Sequence, residues 1–198
     1  MPHDVFDTHA ERYDRWYDNH GRVYRQELRL LRQYPGAVGC ELEIGVGTGR
    51  FAGPLGIRLG IDPSLPMLRI ARTRGVEAVR ALAEVLPFRD SSMGSILVMT
   101  ALCYFDDPGL ALGEISRVLE PGGRLVIGFL GRGGQIAEKY TDTTEKGTYL
   151  AHATFYSPEE VASMLREAGL TGISMDAHGN AFMKGFHVVT ATRPATGP

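Results

Sequence analysis

Apolar positions along the chain follow two alternating rhythms. Short, nearly unbroken apolar runs recur at Val38–Ile44, Ile57–Ile61, Val76–Ala81, Ser95–Thr100 and Arg124–Phe129, with Ile96, Leu97, Val98 and Met99 consecutive. A strand covered on both faces reads this way, whereas a half-exposed strand alternates. Between the runs lie stretches with helical signals. Pro66–Arg74 follows Ser64, Pro108–Leu119 follows Asp107, and Ser157-Pro158-Glu159-Glu160 is a capping box opening a helix that Gly169 ends. A helical arm over Asp7–Gln33 precedes them and stops at Tyr34-Pro35-Gly36. Pro121-Gly122-Gly123 is read as the turn into the fifth strand, and two more strands are expected near Ile173 and over Phe186–Thr192. The alternation predicts one α/β domain with a mostly parallel, seven-stranded sheet and helices on both faces.

The densest chemistry lies in Glu41-Leu42-Glu43-Ile44-Gly45-Val46-Gly47-Thr48-Gly49-Arg50. A buried strand ends in a carboxylate and runs into a glycine-rich turn, whose backbone N–H groups are expected to approach a ligand closely. A dinucleotide loop requires a third glycine at the sixth motif position, where this chain has Arg50. Glu43 would repel a pyrophosphate but suits a cofactor carrying an ammonium and a sulfonium, as S-adenosylmethionine does. Asp62 ends the second strand nineteen residues after Glu43, the spacing at which an acid bonds ribose hydroxyls in open α/β sites. It also precedes a helix, so a capping role is compatible with a ribose role.

These residues, with Gly60-Ile61-Asp62-Pro63-Ser64, Met67-Leu68, Ala83-Glu84-Val85-Leu86-Pro87-Phe88 and Glu114 to Gly123, resemble the class I S-adenosylmethionine-dependent methyltransferases. The likeness is to the ubiquinone and menaquinone methyltransferase branch, and within it to small bacterial and archaeal members with an IGVGTGRFA loop. The resemblance implies a Rossmann-like fold with an antiparallel last strand, a lid over residues 1–34, a methyltransferase domain over 35–193 with a short cap near 131–156, and a disordered tail over 194–198. It implies S-adenosylmethionine as cofactor, with Tyr13, Tyr17, Glu43, Gly45, Val46, Gly47, Gly49, Asp62, Pro63, Met67, Ala83, Glu84, Thr100 and Ala101 as its contacts. Cys103, Tyr104, Phe105, Phe155 and Tyr156 are candidates for the acceptor pocket, and Tyr104 and His152 for a catalytic group. The chain departs from the branch twice. Phe51–Leu55 leaves space for one short helix only, and Leu82 replaces the polar residue that often meets adenine.

The implied reaction is in-line displacement at an activated methyl carbon, which asks for alignment and exclusion of water rather than a strong acid or base. The acceptor is expected to be a small nucleophile with N, O or S as the attacking atom. A protein that binds the cofactor without transfer, as a regulator or assembly partner, fits the same cofactor residues.

Composition narrows the partners. With 198 residues, 43% hydrophobic and 22% charged, the chain suits one domain. A net charge of −2 with scattered basic residues argues against nucleic acid. No apolar run has membrane-spanning length and no secretory leader is evident, so a cytoplasmic protein, monomeric or homodimeric, is expected. Cys40 and Cys103 are read as a reduced pair, and no histidine stands at a metal-ligand spacing, so no metal is expected.

Overall fold

The computed structural model describes residues 4–34, 36, 41–134, 149–178 and 185–195. Its order is α1 (Asp4–Asn19), α2 (Gly21–Leu31), β1 (Leu42–Ile44), α3 (Ala52–Leu55), β2 (Leu59–Asp62), α4 (Leu65–Thr73), β3 (Glu77–Arg80), β4 (Met93–Met99), α5 (Pro108–Val118), β5 (Leu119–Leu130), α6 (Pro158–Glu167), β6 (Thr171–His178) and β7 (Phe186–Thr192). Single 3-10 turns lie at Leu102–Tyr104 and Tyr149–His152.

The strands form one seven-stranded sheet in the order β3-β2-β1-β4-β5-β7-β6. Pairings from β3 to β5 are parallel, and β7 runs antiparallel to both β5 and β6. Side chains alternate faces along each strand. Ile96, Val98, Leu125 and Ile127 therefore join one core with Leu112 and Ile115 of α5 and Val161 and Leu165 of α6. Leu97, Met99 and Val126 join the other, with Leu31 of α2, Leu55 of α3 and Leu68 of α4. Covering both faces is what made the sequence runs continuous. Each buried Leu or Ile contributes roughly 1.5–3 kcal/mol relative to exposure.

Caps set the helix starts. Ser64 accepts from the Met67 N–H at 3.4 Å and Asp107 from the Leu110 N–H at 2.9 Å, while Ser157 and Glu160 form the reciprocal capping box.

Three details refine or correct the sequence reading. The helical arm is divided into two helices by a break at His20, and α1 itself kinks at His9, where φ is −126° and ψ 25°. Pro121-Gly122-Gly123 lies inside β5 rather than before it, because the register against β4 slips from Met93↔Leu119 to Ser95↔Arg124 and absorbs the extra residues as a bulge. The described part of the first strand is Leu42–Ile44, since 37–40, and with them Cys40, lie outside the described residues, as do 135–148 of the expected cap and 196–198 of the expected tail.

Candidate functional site

Beyond the carboxyl ends of β1, β2 and β4 lies a cleft of about 640 Å³ including its mouth. This is where the strand order reverses, with β1 between β2 and β4, the place at which open α/β sheets take ligands. Gly45, Gly47, Asp62, Pro63, Met67, Ala83, Glu84, Thr100 and Ala101 line it, with Tyr13 from α1. Tyr17, Glu43 and Val46 line an adjoining recess of about 230 Å³ with Thr48 and Arg50. Gly49 lines neither and lies beneath α4, where a Cβ would sit 3.2 Å from the Ala71 Cα.

The turn after β1 is held by its own backbone. Gly45 and Val46 both donate to the Ile61 carbonyl at 2.9 Å, Gly47 donates to Asp62 Oδ2 at 2.9 Å, and Gly49 donates to the Val46 carbonyl at 2.9 Å. Most of the N–H groups expected to meet a ligand are thus engaged within the protein, and the turn offers the cleft a shape instead of a row of donors. Gly45 explains that shape. At φ 71° it lies where an added Cβ would come 2.3 Å from the Ala101 Cβ, so only glycine lets the ends of β1 and β4 approach this closely.

Asp62 takes part in both turns bordering the cleft. Besides accepting from Gly47, its Oδ1 accepts from the Ser64 N–H at 2.9 Å, while the cap of α4 falls to Ser64.

Glu43 is 1% exposed, and among the described residues its Oε2 has no hydrogen-bond partner. Burial pushes its pKa well above the ordinary carboxylate range. Leaving a polar oxygen orphaned in the core costs about 1–3 kcal/mol. A cationic group seated in the recess would offset that cost.

Tyr104 and Phe105 also line the cleft, with Phe6 beside Tyr104. Phe6 meets Tyr104 edge-on at 5.0 Å and Tyr13 at 5.8 Å, and stacks on Tyr149 at 5.4 Å. The kink at His9 releases a carbonyl that accepts from the Tyr149 hydroxyl at 2.9 Å. Tyr13 and Tyr17 share a hydroxyl hydrogen bond of 2.9 Å, and burial raises both their pKa values, so both remain neutral phenols. Thr100 holds φ 51°, an outlier for a β-branched residue, at the mouth of β4.

Four expected acceptor-pocket or catalytic residues do not line the cleft. His152 is exposed at the end of its 3-10 turn, which directs Tyr149 rather than His152 toward α1. Cys103 is half-buried, and its thiol donates to the Thr100 carbonyl at 3.4 Å. Burial pushes that thiol up to about 12, which removes any thiolate at neutral pH. The Phe155 and Tyr156 carbonyls accept from Arg132, and the Tyr156 ring packs on the α5–α6 core.

The sequence reading missed Phe6, Ile44, Ile61, Ala81 and Met99 as lining residues, and the partners of Arg50. Arg50 donates to Asp14 through Nε and Nη2, both at 2.8 Å, and to Asp18 through Nη1 at 2.7 Å and Nη2 at 2.9 Å. Arg74 donates to Asp14 at 2.9 Å and to the Thr48 carbonyl at 2.7 Å. The Tyr17-Asp18 and Tyr13-Asp14 pairs carried the signal, since each sets an acid beside a recess-lining ring.

Residues 42–127 match a family described as a methyltransferase domain. Over 169 residues the chain is 39% identical to an uncharacterized protein of Methanocaldococcus jannaschii, covering 85% of this chain and 82% of that one. It is 30% identical to the ubiquinone/menaquinone biosynthesis C-methyltransferase of Hahella chejuensis, over 84% of this chain and 82% of the other. A crystal structure from Thermotoga maritima, described as an S-adenosylmethionine-dependent methyltransferase and possible histamine N-methyltransferase, superposes with a TM-score of 0.89 at 32% identity, covering 98% of this chain and all of that one. The chain belongs to the S-adenosylmethionine-dependent methyltransferases. S-adenosylmethionine is accordingly the cofactor, and the geometry of this methyltransferase fits it: the orphaned Glu43 oxygen suits the ammonium, and the apolar wall of Pro63, Met67, Leu82 and Ala83 suits a flat purine. No described helix of the methyltransferase is long and apolar enough to cross a membrane.

Proposed function

We propose that this methyltransferase moves the methyl group of S-adenosylmethionine onto a nitrogen, oxygen or sulfur atom of a small molecule, with Phe6, Tyr104 and Phe105 facing the acceptor. The cofactor supplies a methyl carbon made electrophilic by its sulfonium. Glu43 holds the ammonium, Asp62 the ribose, and Ala83-Glu84 with Met67 the adenine. Tyr13 and Tyr17 close the cofactor side as a lid, whose neutral aromatic faces attract a cation without donating a base. Thr100 and Ala101 fix the height of the methionine end, so that an acceptor atom bounded by Phe6 and Tyr104 meets the methyl carbon in line.

The observation carrying this reading is the buried, unpartnered Glu43 oxygen behind a glycine turn that opens on an aromatic-walled cleft. A core carboxyl with one oxygen unpaired lowers stability, and pairing with the cofactor's ammonium supplies a reason for keeping it. The aromatic lining of Phe6, Tyr104 and Phe105 suits a small acceptor, and the Thermotoga maritima relative described as a possible histamine N-methyltransferase puts amines first in an acceptor screen.

Titration calorimetry with S-adenosylmethionine and S-adenosylhomocysteine, beside NADH, tests the cofactor half on wild type and Asp62→Ala. The variant orphans the Gly47 and Ser64 N–H groups as well as the ribose, and its affinity is expected to fall about a hundredfold. A screen of amines, thiols and phenols for S-adenosylhomocysteine release tests the acceptor half. Tight cofactor binding with no turnover on any acceptor would favour the binding protein without transfer.

A further inference from the structure

On the reading just given, Tyr13 and Tyr17 act only if α1 is held against the glycine turn. The contacts of α1 show what holds it. Asp14 follows Tyr13 directly, and Asp18 follows Tyr17. Both point their carboxylates at Arg50, the residue immediately after the glycine turn. Asp14 also receives Arg74 from the end of α4, and the other arm of Arg74 binds the Thr48 carbonyl within the turn itself. One wall of the recess is thus α1 and the opposite wall is the turn, and this cluster spans them.

The cluster is built for grip. The side chains of Arg50, Asp14 and Arg74 are 14%, 15% and 27% exposed, against 62% for Asp18. Paired forks of this kind, partly withdrawn from water, are stronger and more directional than surface ion pairs. Arg50 is fixed from other sides too, with its guanidinium 5.8 Å over the Tyr17 ring and its carbonyl accepting the Tyr24 hydroxyl of α2.

We propose that Arg50 is a positioning residue whose ion pairs with Asp14 and Asp18, seconded by Arg74, latch Tyr13 and Tyr17 over the cofactor recess, so that cofactor exchange requires the latch to open. The position that serves a dinucleotide loop as a helix-packing glycine here carries the fastening of the lid. Asp14→Asn removes the charge that both arginines share and keeps the shape. Arg50→Lys keeps the charge and removes the fork.

The chain supplies its own reporter. Trp16, the single tryptophan, lies on α1 between the two acids, 40% exposed, with its ring 5.2 Å from Tyr17. Stopped-flow Trp16 fluorescence gives association and dissociation rates for S-adenosylhomocysteine. Asp14→Asn is expected to raise the dissociation rate about tenfold and Arg50→Lys severalfold, with association unchanged or faster. Rising salt should speed dissociation in wild type, and less so in Asp14→Asn, which keeps only the Arg50–Asp18 pair. Arg117→Lys is the control, because Arg117 pairs with Glu114 and Asp90 beside α5, away from the recess. It should lower the urea midpoint without changing either rate.

Dissociation within twofold of wild type in both latch variants, or equal acceleration in Arg117→Lys, would overturn the proposal. If Asp14→Asn does not fold, Asp18→Asn, at the exposed end of the cluster, takes its place with a smaller expected rise. Hydrogen exchange over residues 10–19 of the ligand-free protein keeps the two readings apart. Failure of wild type to bind the cofactor would refute the function proposed above, whereas unchanged exchange in Asp14→Asn would refute the latch.

Discussion

The two halves of the cleft are made in different ways. On the β1–β2 side the cavity is defined by backbone: Gly45, Val46 and Gly47 are fixed to Ile61 and Asp62, and Gly60 lies where a Cβ would come 2.6 Å from Val46. On the β4 side it is defined by side chains from two separate segments, Phe6 and Tyr104 with Phe105, with Tyr149 stacked on Phe6. A backbone-built half tolerates little substitution and serves one ligand throughout a family. A half built of rings on loops can be rebuilt residue by residue, which suits the variable partner of the reaction.

Mutations on the two sides should therefore differ in kind. The largest effect is expected from Gly45→Ala, which forces a Cβ to 2.3 Å from Ala101 at a positive φ and should destabilise the whole domain by about 2–4 kcal/mol, read as a lowered urea midpoint. Tyr104→Ala should leave the fold and cofactor affinity within a few-fold of wild type while lowering kcat/KM about 10- to 100-fold on any acceptor found by screening. Equal losses of cofactor affinity and turnover would erase the distinction between the halves.

Glu43 provides a test within the cofactor half. Its pKa is raised by burial in the free protein, and a bound ammonium favours the ionised form, so cofactor binding should release a proton and tighten as pH rises. Calorimetry in two buffers of different ionisation enthalpy measures that proton directly, and identical heats would mean that Glu43 does not change protonation on binding. The smallest effect is expected at Leu82, which is 41% exposed on the wall of the cleft proposed to take the adenine. Leu82→Asn adds a side-chain acceptor there and should tighten cofactor binding a few-fold, about 0.5–1 kcal/mol.

What could be read from the sequence follows the same division. The apolar runs, the glycine turn and Asp62 are local patterns, and from them the sheet, the turn and the positions of the two acids at the strand ends could be read. The engagement of the turn's own N–H groups was not legible, because their acceptors lie on β2, fifteen or so residues away, and glycine spacing is the same whether donors face a ligand or the next strand. Arg50 was legible only as a missing glycine, since Asp14 lies thirty-six residues earlier. Phe6 escaped because the kink at His9, which brings it over Tyr104, has no proline or glycine to mark it.

The sheet order carries a consequence for how the chain is made. Among the described strands β6 pairs with β7 alone, and β7 sits between it and β5, although β6 is synthesised first. On the ribosome, β6 must wait unpaired until residues through Thr192 have emerged, and only then can β7 enter beside β5 and bring β6 with it. The edge of β5 remains an open template throughout that interval, so slow or interrupted translation beyond Glu167 should be the moment at which nascent chains are most prone to pair with one another.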